Sequence, residues 1–203
     1  MTTLKGIVRA AAIAALALAA GQALAEDKAG DHLANPVDLK LGRDHTMVLL
    51  EWNHAGLSTT YAFMREYDGS VHLDPKSPEN SKVDVTIKAD SLDSFNPTRD
   101  KVLKSQRFLN VAQYPDITFK SREVKRTGDS TATMAGDMTI LGKSHPVVFD
   151  VTFNKAGENM GEFIAGFDAK TVLDRKDLGV ADLYPKVAPK VTVHISTELV
   201  HPK

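Results

Sequence analysis

The side chains most able to do chemistry in this chain are seven histidines and a few acid–base clusters, and cysteine is absent. A zinc site wants four converging ligands. His45 and His54 read as members of one strand, nine residues apart, and so face opposite ways. His72 lies between Val71 and Leu73 and shares the outer face. His194 shares the outer parity of Thr192. His145 reads as a turn residue, and His32 and His201 lie in the tails. No local spacing brings them together, and no metal is expected. His54 shares the parity of Val48, Leu50 and Trp52. It reads either as a core histidine held by a backbone group or as a ligand contact near a strand end.

The carboxylates offer little acid–base pairing. Asp174, Arg175 and Asp177 fall in one short turn before Gly179, where a surface ion pair is a sufficient reason for them. Arg99-Asp100 opens a candidate helix, with the Arg as an anchor and the acid in the first turn. The other reading places Arg99, Lys104 or Ser105 against the polar head of a ligand, since lids often line binding sites. No Gly-x-Ser-x-Gly elbow, Walker loop or dinucleotide fingerprint occurs, and thiolate chemistry is excluded.

The elements that must position these residues are strands. From Val37 onward the dominant period is two. Val48, Leu50 and Trp52 oppose Glu51 and Asn53. Val83, Val85 and Ile87 oppose Asp84 and Thr86, and Ile117 and Phe119 oppose Thr118 and Lys120. Met134, Gly136, Met138 and Ile140 share a parity. So do Val147, Phe149, Val151 and Phe153, then Phe163, Ala165 and Phe167, then Val191, Val193 and Ile195. Asp68-Gly69 predicts a hairpin after Tyr61–Tyr67. Gly128-Asp129, Gly142 with Pro146, and Gly157–Asn159 punctuate the rest. This amounts to eight or nine strands, each apolar on one side and wet on the other. An up-and-down barrel and a two-sheet sandwich both fit.

Ser91–Pro115 breaks the alternation. Asn96 is a good cap and Pro97 a good first helical residue, so a short helical insertion over about 97–112 is expected near one barrel end. Val102 and Leu103 give it an apolar side, and Phe108, Leu109 and Val111 follow. A small barrel is packed with its own side chains and a wider one holds a ligand; periodicity does not choose between them.

The start of the chain reads as an export signal. Lys5 and Arg9 precede a charge-free run, and Ala23-Leu24-Ala25 is a small-x-small cleavage site, so residues 1–25 are expected to be removed after Ala25. The run is short for a bilayer span, which needs about 20 residues. Residues 26–36 read as a flexible leader and 37–200 as one barrel domain, long enough to hold a core without disulfides. No transmembrane segment is expected after signal cleavage. The formal net charge of −1 lacks the basic excess of a nucleic-acid binder.

Several segments together resemble the YceI-like family, periplasmic lipocalin-fold proteins that bind polyisoprenoids or similar lipids. They are His54-Ala55-Gly56-Leu57-Ser58, Asp68-Gly69, Arg99-Asp100, Leu103-Lys104-Ser105, Phe108, Tyr114-Pro115 and Phe119-Lys120-Ser121. Gly136-Asp137-Met138-Thr139-Ile140, Gly142, Pro146 and Asp174-Arg175-Lys176-Asp177-Leu178-Gly179 complete the set. The resemblance runs from about His45 to Leu199. Ala62 stands where the family usually has Gly, and Val102 where it usually has His, which changes any head-group contact made there.

The resemblance implies an all-β, extended, antiparallel, lipocalin-like eight-stranded barrel with a long interior pocket. It implies a binding protein in the periplasm and not an enzyme, with no cofactor beyond a bound isoprenoid-type lipid. Polyisoprenoid, isoprenoid quinone and fatty-chain ligands all offer the same apolar tail. The expected wall is Val48, Leu50, Trp52, Val85, Ile87, Phe119, Met134, Met138, Phe149 and Phe167, with Leu103, Phe108 and Leu109 closing one end. Arg99, Lys104, Ser105 and His54 are candidates for the polar end. Two rival readings are a solidly packed barrel that binds a membrane partner, and a lipid-head-group enzyme using Arg99, Asp100 and His54. Lipocalin-like barrels commonly dimerise, and no stretch of this chain declares an interface.

Overall fold

A computed structural model describes residues 35–159, 161–180 and 187–202. The expected signal peptide and all but the end of the expected leader lie outside the described residues.

The strands are β1 (Val37–Leu41), β2 (Met47–His54), β3 (Ser58–Met64), β4 (Tyr67–Leu73), β5 (Lys82–Lys88), β6 (Leu92–Asp93), β7 (Asp116–Arg126), β8 (Thr131–Ile140), β9 (Lys143–Asn159), β10 (Glu162–Asp174) and β11 (Val187–Val200). One helix, α1 (Pro97–Lys104), lies between β6 and β7. All strand pairings are antiparallel, and β1 pairs with both β4 and β11. The sheet therefore closes on itself. β1 and β2 run as one broken stave, as do β3 with β4 and β5 with β6. With β7 to β11 these make an eight-stave up-and-down barrel, so the sandwich alternative falls away.

The three breaks lie side by side. At the first, Gly42 N donates to Glu198 O at 2.7 Å, the Thr46 and Thr197 hydroxyls bond at 2.6 Å, and Tyr67 Oη donates to Thr46 O. At the second, Lys88 N donates to Glu66 O and Arg65 N to Ser91 O. The third is the 3₁₀ turn Ala89–Ser91. The barrel thus bends along one line, and its core divides there. The upper cluster contains Val48, Ala62, Met64, Leu92, Ile140, Phe149 and Val193; the lower contains Leu39, Val71, Ala156, Phe163, Ala165 and Leu199.

Three expectations of local structure are corrected. Asp68-Gly69 makes no hairpin; both residues sit inside β4, paired to Thr86 and Val85. A Cβ on Gly69 would lie 2.8 Å from the Leu41 side chain and 2.9 Å from Asp84 O, so glycine is there for close packing of staves. The turn comes earlier, at Ala55-Gly56, where both residues have positive φ and Leu57 N returns to His54 O, the pattern of a type I′ turn. Leu141-Gly142 makes the same turn between β8 and β9. The second correction concerns the helix, which ends at Lys104. Residues up to Tyr114 continue as turns, with Phe108 N and Asn110 N both donating to Ser105 O. His145 lies inside β9 opposite Met138, and not in a turn.

Among the described residues, two bulges turn a strand over, and a third register shift, between Val187 and Val191 of β11, keeps the parity. In β7 the register slips between Ser121 and Glu123, so Ile117 and Phe119 face inward first and Val124 and Arg126 afterward. β9 opposite Gly166–Phe167 does the same, passing from Phe153 to Ala156. Long strands keep an apolar inner face this way despite a change in parity.

Candidate functional site

The inward side chains do not meet at the axis. They enclose a cavity of about 640 Å³ that runs from Leu103, Leu109, Leu178 and Val180 at the upper end to Leu73, Pro75, Pro78 and Thr131 at the lower. The lining is almost entirely aliphatic and aromatic. Val48, Leu50, Trp52, Val85, Ile87, Phe119, Met134, Met138, Phe149 and Phe167 all lie on it, as do Leu103, Phe108 and Leu109 of the insertion. Edge-to-face contact between Phe119 and Phe149 (5.2 Å between centroids) and a tilted contact between Phe153 and Phe167 (5.3 Å) stiffen the wall at two heights.

The insertion closes the upper end through a polar clasp outside the cavity. Asn96 caps α1 by accepting from Arg99 N at 3.1 Å. Arg99 donates from Nε to Ser94 Oγ (2.8 Å) and from Nη2 to Ser94 O (2.6 Å), while Asp100 accepts from Ser94 N at 2.9 Å. Ser94 is 1% exposed, so these bonds satisfy groups that water cannot reach. Lys104 pairs with Asp90 at 3.4 Å, and Ser105 donates its hydroxyl to Val102 O. Leu103, Phe108 and Leu109 are thereby aimed into the barrel.

Arg99, Lys104, Ser105 and His54 therefore hold the closure or stand outside it; none lines the cavity. His54 is exposed because the strand ends there, in the Ala55-Gly56 turn. No hydrogen bond or ion pair among the described residues joins it to Arg99 or Asp100, the arrangement the head-group enzyme reading needed. Val102 is 40% exposed on the outer side of α1. His72 pairs with Asp38 at 2.7 Å and His194 with Glu51 at 2.9 Å, both on the outer face. Among the described residues no group of three or more His, Asp or Glu converges as a metal site would require.

Two polar ends that sequence reasoning did not anticipate border the cavity instead. Arg175 is 7% exposed and lines the upper end, donating from Nε to Ala188 O (3.2 Å) and from Nη2 to Val187 O (2.7 Å). It ties the turn after β10 to the start of β11. At the lower end Arg126, Asp129, Ser130 and Thr131 face Asp74 and Ser81 around the opening. Only the β7 bulge turns Arg126 inward, and no periodic signal announces it. Asp74 organises its loop by accepting from Ser77 N (2.9 Å), Lys76 N (3.2 Å) and Asn80 Nδ2 (3.1 Å). The Asn80 bond, then the backbone bond from Ser77, holds its carboxyl below the usual carboxylate range. Burial pushes the Tyr67 phenol upward, against the bond to Thr46.

Among the described residues, a closed eight-stranded antiparallel barrel with one short α-helix and a hollow apolar interior defines a lipocalin-like fold. The YceI-like domain model matches residues 39–199, and the chain belongs to that family. A UPF0312 protein of Azotobacter vinelandii is 37% identical over 196 residues, covering 96% of this chain and 97% of that one. Another, of Pseudomonas fluorescens, is 36% identical over 203 residues, covering 98% and 100%. Among solved structures, the Campylobacter jejuni YCEI protein superposes with a TM-score of 0.68 at 27% identity, over 72% of this chain and 88% of that one. Burkholderia cenocepacia BcnA (TM-score 0.71, 20% identity, 80% and 99% covered) and a polyisoprenoid binding domain from Saccharophagus degradans (0.62, 8%, 83% and 100%) share the fold. No helix among the described residues is long and apolar enough to cross a membrane.

Proposed function

We propose that this protein binds one long apolar lipid tail, an isoprenoid or similar chain, inside its barrel and carries or stores it in the periplasm. The observation that supports this best is the cavity itself: about 640 Å³, continuous past both core clusters and lined by hydrocarbon side chains. Burial of each CH2 group contributes about 0.8 kcal/mol, so a tail of many carbons needs no directional contact to be held. A barrel packed solid by its own side chains, the rival reading, does not have this space. The structural neighbour described as a polyisoprenoid binding domain makes an isoprenoid the first ligand to test. The proposal assigns no catalytic step and no cofactor. Export rests on the basic start, apolar run and Ala23-Leu24-Ala25 site. Native mass spectrometry of protein purified without detergent is expected to show a co-purified lipid, or uptake of added long-chain prenyl alcohol at one per chain. Absence of both rejects the proposal.

A further inference from the structure

Large hydrophobic side chains that stand in water are not spread evenly over this barrel. Leu57 (84% exposed), Phe95 (67%), Tyr61 (46%) and Val102 (40%) gather around the β2–β3 turn and the helical insertion. Val148 and Val172, also exposed, lie on outward positions of the upper halves of β9 and β10. Met47 stands near the bend, and no other large hydrophobic is strongly exposed at the lower end among the described residues. Phe95 is held there at a cost: its φ of 59° lies in the left-handed region that a bulky residue avoids. Its ring packs edge-on against Phe63, with the Arg65 guanidinium 5.5 Å from both ring centroids.

The same end is basic. The insertion carries Arg99, Lys101, Lys104 and Arg107 against one acid of its own, Asp100, whose carboxylate is taken up by Ser94; Arg99 is tied to Ser94 and Lys104 pairs with Asp90 on the adjoining turn, so Lys101 is the insertion's charge best placed to meet a surface. Lys143 follows the neighbouring β8–β9 turn. Apolar tips surrounded by lysine and arginine match an anionic lipid surface, where rings and aliphatic tips enter the headgroup boundary and cations meet lipid phosphates. Beside this patch the barrel wall is also incomplete. On the side away from β2, β3 is paired only at Phe63 and Met64, by β6, and the insertion fills the gap above.

We infer that the upper end, tipped by Leu57 and Phe95 and ringed by Lys101 and Lys143, is a docking face for an anionic bilayer. It sets the insertion, whose Leu103, Phe108 and Leu109 close the cavity, against the surface from which a tail would be drawn. The inference extends the lipid-binding proposal, and its test is separate from ligand uptake.

The experiment is flotation of the full protein with vesicles of phosphatidylcholine alone and with one-third phosphatidylglycerol. Binding is expected to the anionic vesicles and to weaken with salt. The double variant Leu57→Ser/Phe95→Ser is expected to lose roughly tenfold or more, and Lys101→Glu/Lys143→Glu at least about fivefold. Both should stay folded in a thermal melt and keep prenyl alcohol uptake from detergent, the Phe95 variant with a midpoint lowered by loss of the Phe63 and Arg65 contacts. Lys76→Glu, at the opposite end, is expected to bind as the parent does. No flotation, or equal weakening by Lys76→Glu, overturns the inference. So does a dimer in light scattering that Leu57→Ser/Phe95→Ser dissolves without vesicle binding, which would give the face to a second copy. If docking fails while uptake persists, the lipid-binding proposal stands alone.

Discussion

Ala169 projects into the cavity between Val151 and Ile195, and replacing it with phenylalanine tests the proposed function by changing the length of tail the barrel can hold. A water takes about 30 Å³ of liquid volume and a methylene is of similar size, so the 640 Å³ space accommodates about twenty such groups, or about four isoprene units. Each unit buried is worth up to about 4 kcal/mol at about 0.8 kcal/mol per carbon. Part of the total is lost to association, which costs about 4–15 kcal/mol once per complex. Affinity in a prenyl alcohol series should therefore climb steeply with each unit and flatten after about the fourth. The added phenyl ring occupies the space of about one unit, so Ala169→Phe should flatten the series one unit earlier and weaken the longest ligands by roughly a hundredfold or more. Displacement of a fluorescent fatty probe measures the series, and a thermal melt shows whether the filled barrel still folds. An affinity that rises past the fourth unit without a break, or a variant with the parental plateau in a folded protein, refutes the reasoning.

Other outcomes follow from individual contacts. Gly136→Ala would place a Cβ 2.4 Å from Lys120 O and 2.5 Å from the Phe119 ring, and should cost about 1–3 kcal/mol in denaturant unfolding. Asn96→Ala removes the α1 cap and should cost about 1 kcal/mol, seen first as faster hydrogen exchange over residues 97–104. Asp74 has a depressed folded pKa, so its contribution is present above the ordinary carboxylate range and is lost as pH falls through the folded value. Protection factors at the Lys76 and Ser77 amides, taken against the intrinsic exchange rate at each pH, should fall on acidification, and Asp74→Asn should flatten that dependence.

Much of the fold was legible because alternation is set by the sheet itself. Val48, Leu50 and Trp52 face the lumen in a strand that is wet on its other side, and the same holds for Met134 and Met138. The insertion was legible from Asn96-Pro97, whose cap forms as expected. What escaped is what period two cannot encode. A bulge reverses parity, so Arg126 borders the cavity although it lies on the opposite parity to Ile117 and Phe119. A glycine needed for close packing looks like a turn glycine, which is why Asp68-Gly69 misled. His54 had inward parity but lies where the strand gives way to a turn. Arg175, Leu178 and Val180 sit in a turn with no periodicity at all, yet they close the upper end.

The pairing of Lys40 with Val200 and Leu41 with Leu199 ties the opening stave to the final one. Seven of the ring's seams join neighbours in sequence and can zip locally; this eighth one waits for segments at opposite ends of the domain to find each other. The entropy of closing so long a loop falls on a single step, and folding should show a fast phase of hairpin growth followed by slower sealing. Before sealing, both partners present bare strand edges, and crowding at that stage favours exchange of the terminal stave between molecules over precipitation of the finished barrel.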